Sequence, residues 1–189
     1  MNMVDISVFY DEAASRISGA PIDVLRQQLE GTLREFYVRS GAFLTLTPAM
    51  NVKGDKVAYN FNPQPEGEIL TIYSVLVDEV PVRFHGAEEP GSVILVTKYP
   101  EDKDKALTAV VSLRPFKYDL IPEETVTFDF DTILDGVTGR MFMMPDRPWS
   151  NGPQAEYYLR RFRQGQGQAR VRVKSRFTQQ AAGWKFPPW

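Results

Sequence analysis

The chain has 189 residues, 43% of them hydrophobic, with no cysteine, one histidine and a formal net charge of −2 at pH 7. A chain of this length buries about 70% of its unfolded surface, so a stable core needs no staples. The cysteine count excludes disulfides, thiolate zinc sites and cysteine nucleophiles, and the lone His85 excludes a histidine-rich metal centre.

Asp5, Asp11 and Glu12 interrupt the apolar N-terminus. No run of about eighteen apolar residues follows, so neither a signal peptide nor a membrane span is expected, and synthesis is assigned to a reducing cytoplasm. A short helix is expected between Ser7 and Ser18, broken by Gly19-Ala20-Pro21. Pro21 suits a first helical position, and Ile22, Leu25, Leu29, Leu33, Phe36 and Tyr37 recur at spacings of three and four, which predicts one buried helical stripe. Gly41 is the expected stop.

From Ala42 the pattern changes to short apolar or alternating runs broken by proline, glycine and acidic turns. Val57, Tyr59 and Phe61 alternate with polar neighbours; residues 69–77 and 80–84 are expected to pair through Asp78-Glu79. Residues 93–99 and 107–113 read as another pair, joined by the charged loop Pro100-Glu-Asp-Lys-Asp-Lys105.

Pro122 with Glu123 and Glu124 opens a second long helix, where early negative charge complements the helix dipole. Its stripe is Val126, Phe130, Ile133, Val137, Met141 and Met144, and Gly136 and Gly139 would let another helix approach closely. Pro145 is expected to end it. The loop from Asp146 to Pro153 supplies an N-cap in Ser150 or Asn151, and a last helix follows with Ala155, Leu159, Phe162, Gln166, Ala169 and Val173 on one stripe. Gly165 and Gly167 weaken that helix by roughly 1 kcal/mol each relative to alanine, which points to a bend or a partner contact.

Charge is strongly polarised along the chain. Residues 151–189 carry eight basic residues against Glu156 alone, a net of +7 that leaves −9 for residues 1–150. The basic last helix, with Arg160, Arg161, Arg163, Arg170, Arg172, Lys174 and Arg176, fits three readings: a solvated face, a subunit interface for the acidic body, or a surface toward nucleic-acid phosphates. Sequence-specific DNA recognition is not expected, because no helix-turn-helix or basic zipper surrounds it. The segment Gly183-Trp-Lys-Phe-Pro-Pro-Trp189 reads as a docking tail: Pro187 and Pro188 hold it extended, and Trp184, Phe186 and Trp189 suit interface pockets, with Lys185 between them. Packing on its own domain and disorder are the alternatives.

No linear signature of catalysis is present. The glycines form no phosphate cradle, the acidic pairs fall at turns, and a Ser-His-Asp triad would need His85. The fold class expected is α+β: a helical bundle, made of the N-terminal helix and two C-terminal helices, with an inserted antiparallel β subdomain and an extended C-terminal tail. Residues 1–178 are read as one domain, helical over 1–41 and 116–178 with the β insertion at 42–115, and residues 179–189 as the tail.

The order of features resembles the head-to-tail adaptor proteins of podophages and related tailed bacteriophages. The resemblance lies in Leu33-Arg-Glu-Phe-Tyr37 with Ser40, in Leu113-Arg-Pro115, in Gly136-Val-Thr-Gly139, and most specifically in Met144-Pro-Asp-Arg-Pro-Trp-Ser-Asn-Gly-Pro-Gln-Ala155 followed by Tyr158, Phe162, Gly165 and Ala169. It spans roughly residues 20–178. It implies a virion structural protein and no enzyme: a homo-oligomeric ring, commonly of twelve subunits, beneath the portal protein. The ring extends the DNA channel after packaging and gives the tail or nozzle protein a platform, with no cofactor or metal. It further implies that the tail residues Trp184, Lys185, Phe186, Pro187, Pro188 and Trp189 dock on the portal, that the basic helix faces a neighbour or channel DNA, and that the protein resides at the head-tail interface. A tail-completion or neck protein is the alternative, and a ligand-binding module or hydrolase using Tyr59, Phe61, Tyr73 and Tyr99 is the rival from another class.

Overall fold

The computed structural model describes residues 2–52, 58–89, 91–96 and 105–181, with side chains as far as residue 177. It is a mixed α+β protein with four α-helices and antiparallel sheets among the described residues. In chain order these are β1 (Met3–Asp5), a 3-10 turn (Ile6–Phe9), α1 (Tyr10–Arg16), α2 (Ile22–Ser40), β2 (Leu44–Leu46), β3 (Met50–Asn51), β4 (Tyr59–Asn60) and β5 (Gly67–Val77). Then follow β6 (Val80–Val82), β7 (Phe84–Gly86), β8 (Ser92–Leu95), β9 (Ala106–Pro115), β10 (Leu120–Pro122), α3 (Glu123–Phe142) and α4 (Gly152–Ala181). The described residues form two compact units: those up to Phe43 with Lys117–Arg176, and Leu44–Phe116 with the described residues from Phe177.

In the first unit α2 follows its sequence signals. Pro21 caps its start, Gly41 takes the left-handed conformation at φ 68° that ends it, and Leu25, Leu29, Leu33, Phe36 and Tyr37 are buried. Ile22, expected in that stripe, is 56% exposed, because it lies in the first turn, ahead of the packed face. Tyr37 sits at the centre. Its ring packs edge-on against Phe36 and Phe43 and parallel to Tyr118, and its hydroxyl meets Thr125 Oγ1 of α3 at 3.1 Å. Burial raises the Tyr37 pKa, so the hydroxyl stays protonated. The N-terminus departs from the single helix expected: β1 pairs antiparallel with β10, and the 3-10 turn begins at Asp5, whose Oδ1 accepts from Ser7 N at 2.7 Å.

Of the expected stripe, helix α3 buries Ile133, Val137 and Met141, leaves Val126 and Phe130 half-buried, and ends at Phe142, before Met144 and the expected stop at Pro145; it runs antiparallel to α4. Glycine sets the spacing. A Cβ at Gly136 would lie 2.5 Å from Thr32 Cγ2 of α2 and 2.8 Å from the Phe162 ring of α4, and one at Gly139 would lie 2.8 Å from Leu159. On α4 the Gly165 position is filled by Thr132 of α3, so Gly165 marks a close packing contact, whereas Gly167 faces open space.

In the second unit the main sheet has the order β2-β9-β5-β6, with β3 also on β9, and a second sheet has the order β4-β8-β7. β9 buries Leu107, Ala109, Val111 and Leu113 on one face, with Ser112 buried between the last two, and it pairs along the whole of β5 with two register shifts. The β5–β6 hairpin turns at Asp78-Glu79 as expected, both with positive φ. Among the described residues the expected pairing of 93–99 with 107–113 is not made. β8 pairs with β4 and β7, while β9 takes β5, the strand that matches its length.

These contacts predict opposite effects from two glycine substitutions. Gly136→Val should cost about 2–3 kcal/mol, since the new side chain must displace Thr32 and Phe162. Gly167→Ala should add about 0.5–1 kcal/mol in mid-helix. Urea unfolding of both variants checks the pair.

Candidate functional site

The chemistry-bearing residues gather on the α3–α4 hairpin. Helix α3 contributes Glu123, Glu124, Asp129, Asp131 and Asp135, and α4 contributes the seven basic residues singled out from the sequence. Antiparallel packing brings the two sets together. Asp135 forms an ion pair with Arg161 Nε at 2.9 Å and accepts from Arg16 Nη1 of α1 at 3.3 Å; Asp129 accepts from Arg172 Nη2 at 2.5 Å; Glu124 faces Arg176 at 3.4 Å. Arg172 also lies over the exposed Phe128 ring, 5.2 Å from its centroid. Arg161, Arg172 and Arg176 therefore neutralise carboxylates of α3, which narrows the subunit or phosphate surface expected of the whole helix.

The rest lie on another flank. At about 100° per residue, Arg160, Arg163, Arg170 and Lys174 fall on one side of α4, with Val171 between them. All four basic residues are exposed, and Val171 is 67% exposed. Arg160 makes a 3.6 Å pair with Glu156 one turn earlier, both side chains largely in solvent, a contact worth little. Among the described residues Arg163 and Arg170 have no acidic partner. Arg160, Arg163 and Arg170, with the exposed Val171 beside them, give this flank its basic surface.

At the start of α4 the turn from α3 is held by its own backbone. Asn151 caps α4 through Oδ1 to Gln154 N at 3.2 Å, its N–H donates to Phe142 O at 3.0 Å, Ser150 Oγ bonds Met144 O, and Asp146 adopts φ 56°. Asn151, rather than Ser150, is thus the N-cap. Beside this turn lies an open cavity of about 420 Å3 lined by the apolar Phe142, Met143, Met144 and Leu159 and by the charged Glu156 and Arg163. The volume is within the range of about 300–1,000 Å3 typical of ligand pockets. The sequence reading did not single out this cavity. Its signal was Met143 and Met144, two large apolar residues just past the last turn of α3; Met143 is 62% exposed.

The other expected residues are dispersed. The tail residues Trp184, Lys185, Phe186, Pro187, Pro188 and Trp189 lie outside the described residues, and α4 runs to Ala181, three residues into the expected tail. Of the β-unit aromatics, Tyr59 and Phe61 are buried, Tyr73 stacks on Phe177 of the same unit at 4.5 Å, and Tyr99 lies outside the described residues. His85 is exposed on β7. Among the described residues no three His, Cys, Asp or Glu side chains converge in a metal-binding group, and no helix is long and apolar enough to cross a membrane. No family model matches the sequence, and no curated protein matches it.

Asp129 and Asp135 are each 3% exposed, and burial raises their carboxyl pKa values although Arg172, and Arg161 with Arg16, pull them down. The folded chain therefore binds protons on these groups at higher pH than the unfolded chain does. Their ionised forms oppose folding, and that cost is relieved as pH falls from the raised folded value toward the ordinary 3.8. Asp129→Asn should flatten the stability–pH curve over that interval, which denaturant unfolding at stepped pH will show.

Proposed function

We propose that this protein is a structural assembly protein of a tailed-bacteriophage virion, a head-to-tail adaptor. In this reading it forms a ring beneath the portal, extends the DNA channel after packaging and carries the tail or nozzle. Its helices, with the β unit inserted between them, make the ring body. The observation that carries the reading is the division of α4 into two flanks. One is neutralised by α3, and the other presents Arg160, Arg163 and Arg170 beside Val171.

A flank of this kind fits either of two surfaces that an adaptor ring needs. Residues 1–150 carry a net charge of −9, so the acidic body of a neighbouring copy is a natural counterpart, and a contact between unlike patches can close into a ring. Where the flank faces the channel instead, its arginines meet DNA phosphates without reading sequence. The location that follows is the head-tail junction of the particle, after synthesis in the host cytoplasm, with the portal and a tail or nozzle protein as partners.

Electron microscopy with mass determination of the purified protein, alone and mixed with the portal protein of the same phage, tests this. Closed rings, or copies arrayed on the portal vertex, are expected; a monomer indifferent to portals would refute the reading. Reversing Arg160, Arg163 and Arg170 to Glu should lower ring yield at least tenfold with an unchanged circular dichroism spectrum. Arg161→Glu should instead lower thermal stability, because it faces buried Asp135.

A further inference from the structure

We infer that the outer stripe of α4, made of Arg160, Arg163, Gly167, Arg170 and Lys174, binds the phosphate backbone of duplex DNA without reading its sequence. This contact rests on the assembly reading above and takes the second of the two surfaces which that reading offers the flank. The five positions advance by three, four, three and four residues, and all five are exposed. At about 100° per residue they stay within an arc of about 80°, and at 1.5 Å per residue they run about 21 Å along the helix. The result is a nearly straight basic line with a bare centre.

Gly167 is that centre. Gly136, Gly139 and Gly165 each have a neighbouring side chain in the space a Cβ would take, whereas a Cβ at Gly167 would meet nothing within 4 Å. Packing inside the chain therefore gives no reason for a residue that weakens a helix interior relative to alanine. A ligand that comes down onto the helix backbone does give one, because glycine admits the closest approach. A sugar-phosphate chain crossing the helix there has residues 160 and 163 on one side and residues 170 and 174 on the other.

Charge selects the partner. Among the described residues Arg163 and Arg170 have no acidic partner, and Arg160 has only Glu156, at 3.6 Å with both side chains largely in solvent. A neighbouring copy has fewer uncommitted carboxylates to offer than its net charge suggests. Glu12 and Asp131 are taken up by Arg16, Glu30 and Asp119 by Arg26, and Glu35 by Arg140, besides the three carboxylates of α3 that hold Arg161, Arg172 and Arg176. Duplex DNA carries about one negative charge per 1.7 Å of axis, so a 21 Å line laid along it meets about twelve. The guanidinium fork also matches the paired oxygens of a phosphate, and contacts of that kind carry no sequence information.

Fluorescence anisotropy of a labelled DNA duplex titrated with the full chain tests this. If three phosphates are neutralised, affinity should fall about 40-fold between about 50 and about 200 mM KCl, and two duplexes of unrelated sequence should bind alike. Arg163→Gln/Arg170→Gln should weaken binding at least tenfold at the lower salt and shrink the salt effect to about fourfold. Gly167→Leu, placed where the folded chain has room, should weaken binding at least fivefold while thermal stability holds or rises, which loss of charge cannot produce. Arg176→Gln removes the same charge from the flank held by α3 and should change affinity less than threefold.

No binding at the lower salt overturns the inference. Binding as sensitive to Arg176→Gln as to Arg163→Gln/Arg170→Gln, or indifferent to Gly167→Leu, does the same. So does capture by phosphatidylserine vesicles in place of the duplex, which assigns the stripe to a lipid surface. Rings or portal complexes formed by a chain without DNA affinity leave the adaptor reading standing and remove this contact alone. Stripe-dependent DNA binding by a chain that forms no ring and ignores the portal keeps the contact and removes the adaptor.

Discussion

The separation of α3 from its neighbours governs the first unit. At Gly136, Gly139 and Gly165 the helices approach until there is no room for a methyl group: Thr32 and Phe162 occupy the first position, Leu159 the second and Thr132 the third. Backbone contact this close fixes helix register, because sliding α4 by one residue would drive a side chain into each gap. The ion pairs inherit that register. Asp135 meets Arg161, Asp129 meets Arg172 and Glu124 meets Arg176, in the antiparallel order that the glycines set.

The same packing sorts the charge of α4. Buried carboxylates on α3 are costly alone, and their arginines offset much of that cost while leaving the pKa values raised. Arginine on this flank stabilises the hairpin internally and is unavailable to a partner. Arginine on the far flank is not held by α3, so Arg160, Arg163, Arg170 and the apolar Val171 stay exposed. The cavity at the hairpin turn arises from the same geometry. Close packing holds α3 and α4 together up to Gly139 and Leu159, beyond which the chain widens through the turn capped by Asn151 and leaves Met143 and Met144 lining the opening.

Local signals were read well where one element decides its own form. Pro21 and Gly41 bound α2, the periodic residues Ile133, Val137 and Met141 are buried in α3, and Asp78-Glu79 turns the β5–β6 hairpin. Reading failed where the choice was between partners. β8 and β9 adjoin in sequence and both look like strands, yet β9 is long, so β5 satisfies more of its backbone groups than the four-residue β8 could. The three-residue β1 left no trace, because its strand form comes from pairing with β10 more than a hundred residues away.

Composition and periodicity by themselves determined the α+β class, the absence of cysteine chemistry, the bounds of α2 and the steep charge polarity of the chain. These follow from properties that each residue carries regardless of its neighbours in space: its apolar surface, its charge, its backbone freedom. Tertiary structure alone decided strand partners, which arginines are already paired, and where a cavity opens. Each of those depends on distances between residues far apart in sequence. A +7 segment is the same in sequence whether its arginines meet Asp129 and Asp135 or solvent, and only the packing of α3 against α4 separates the two sets.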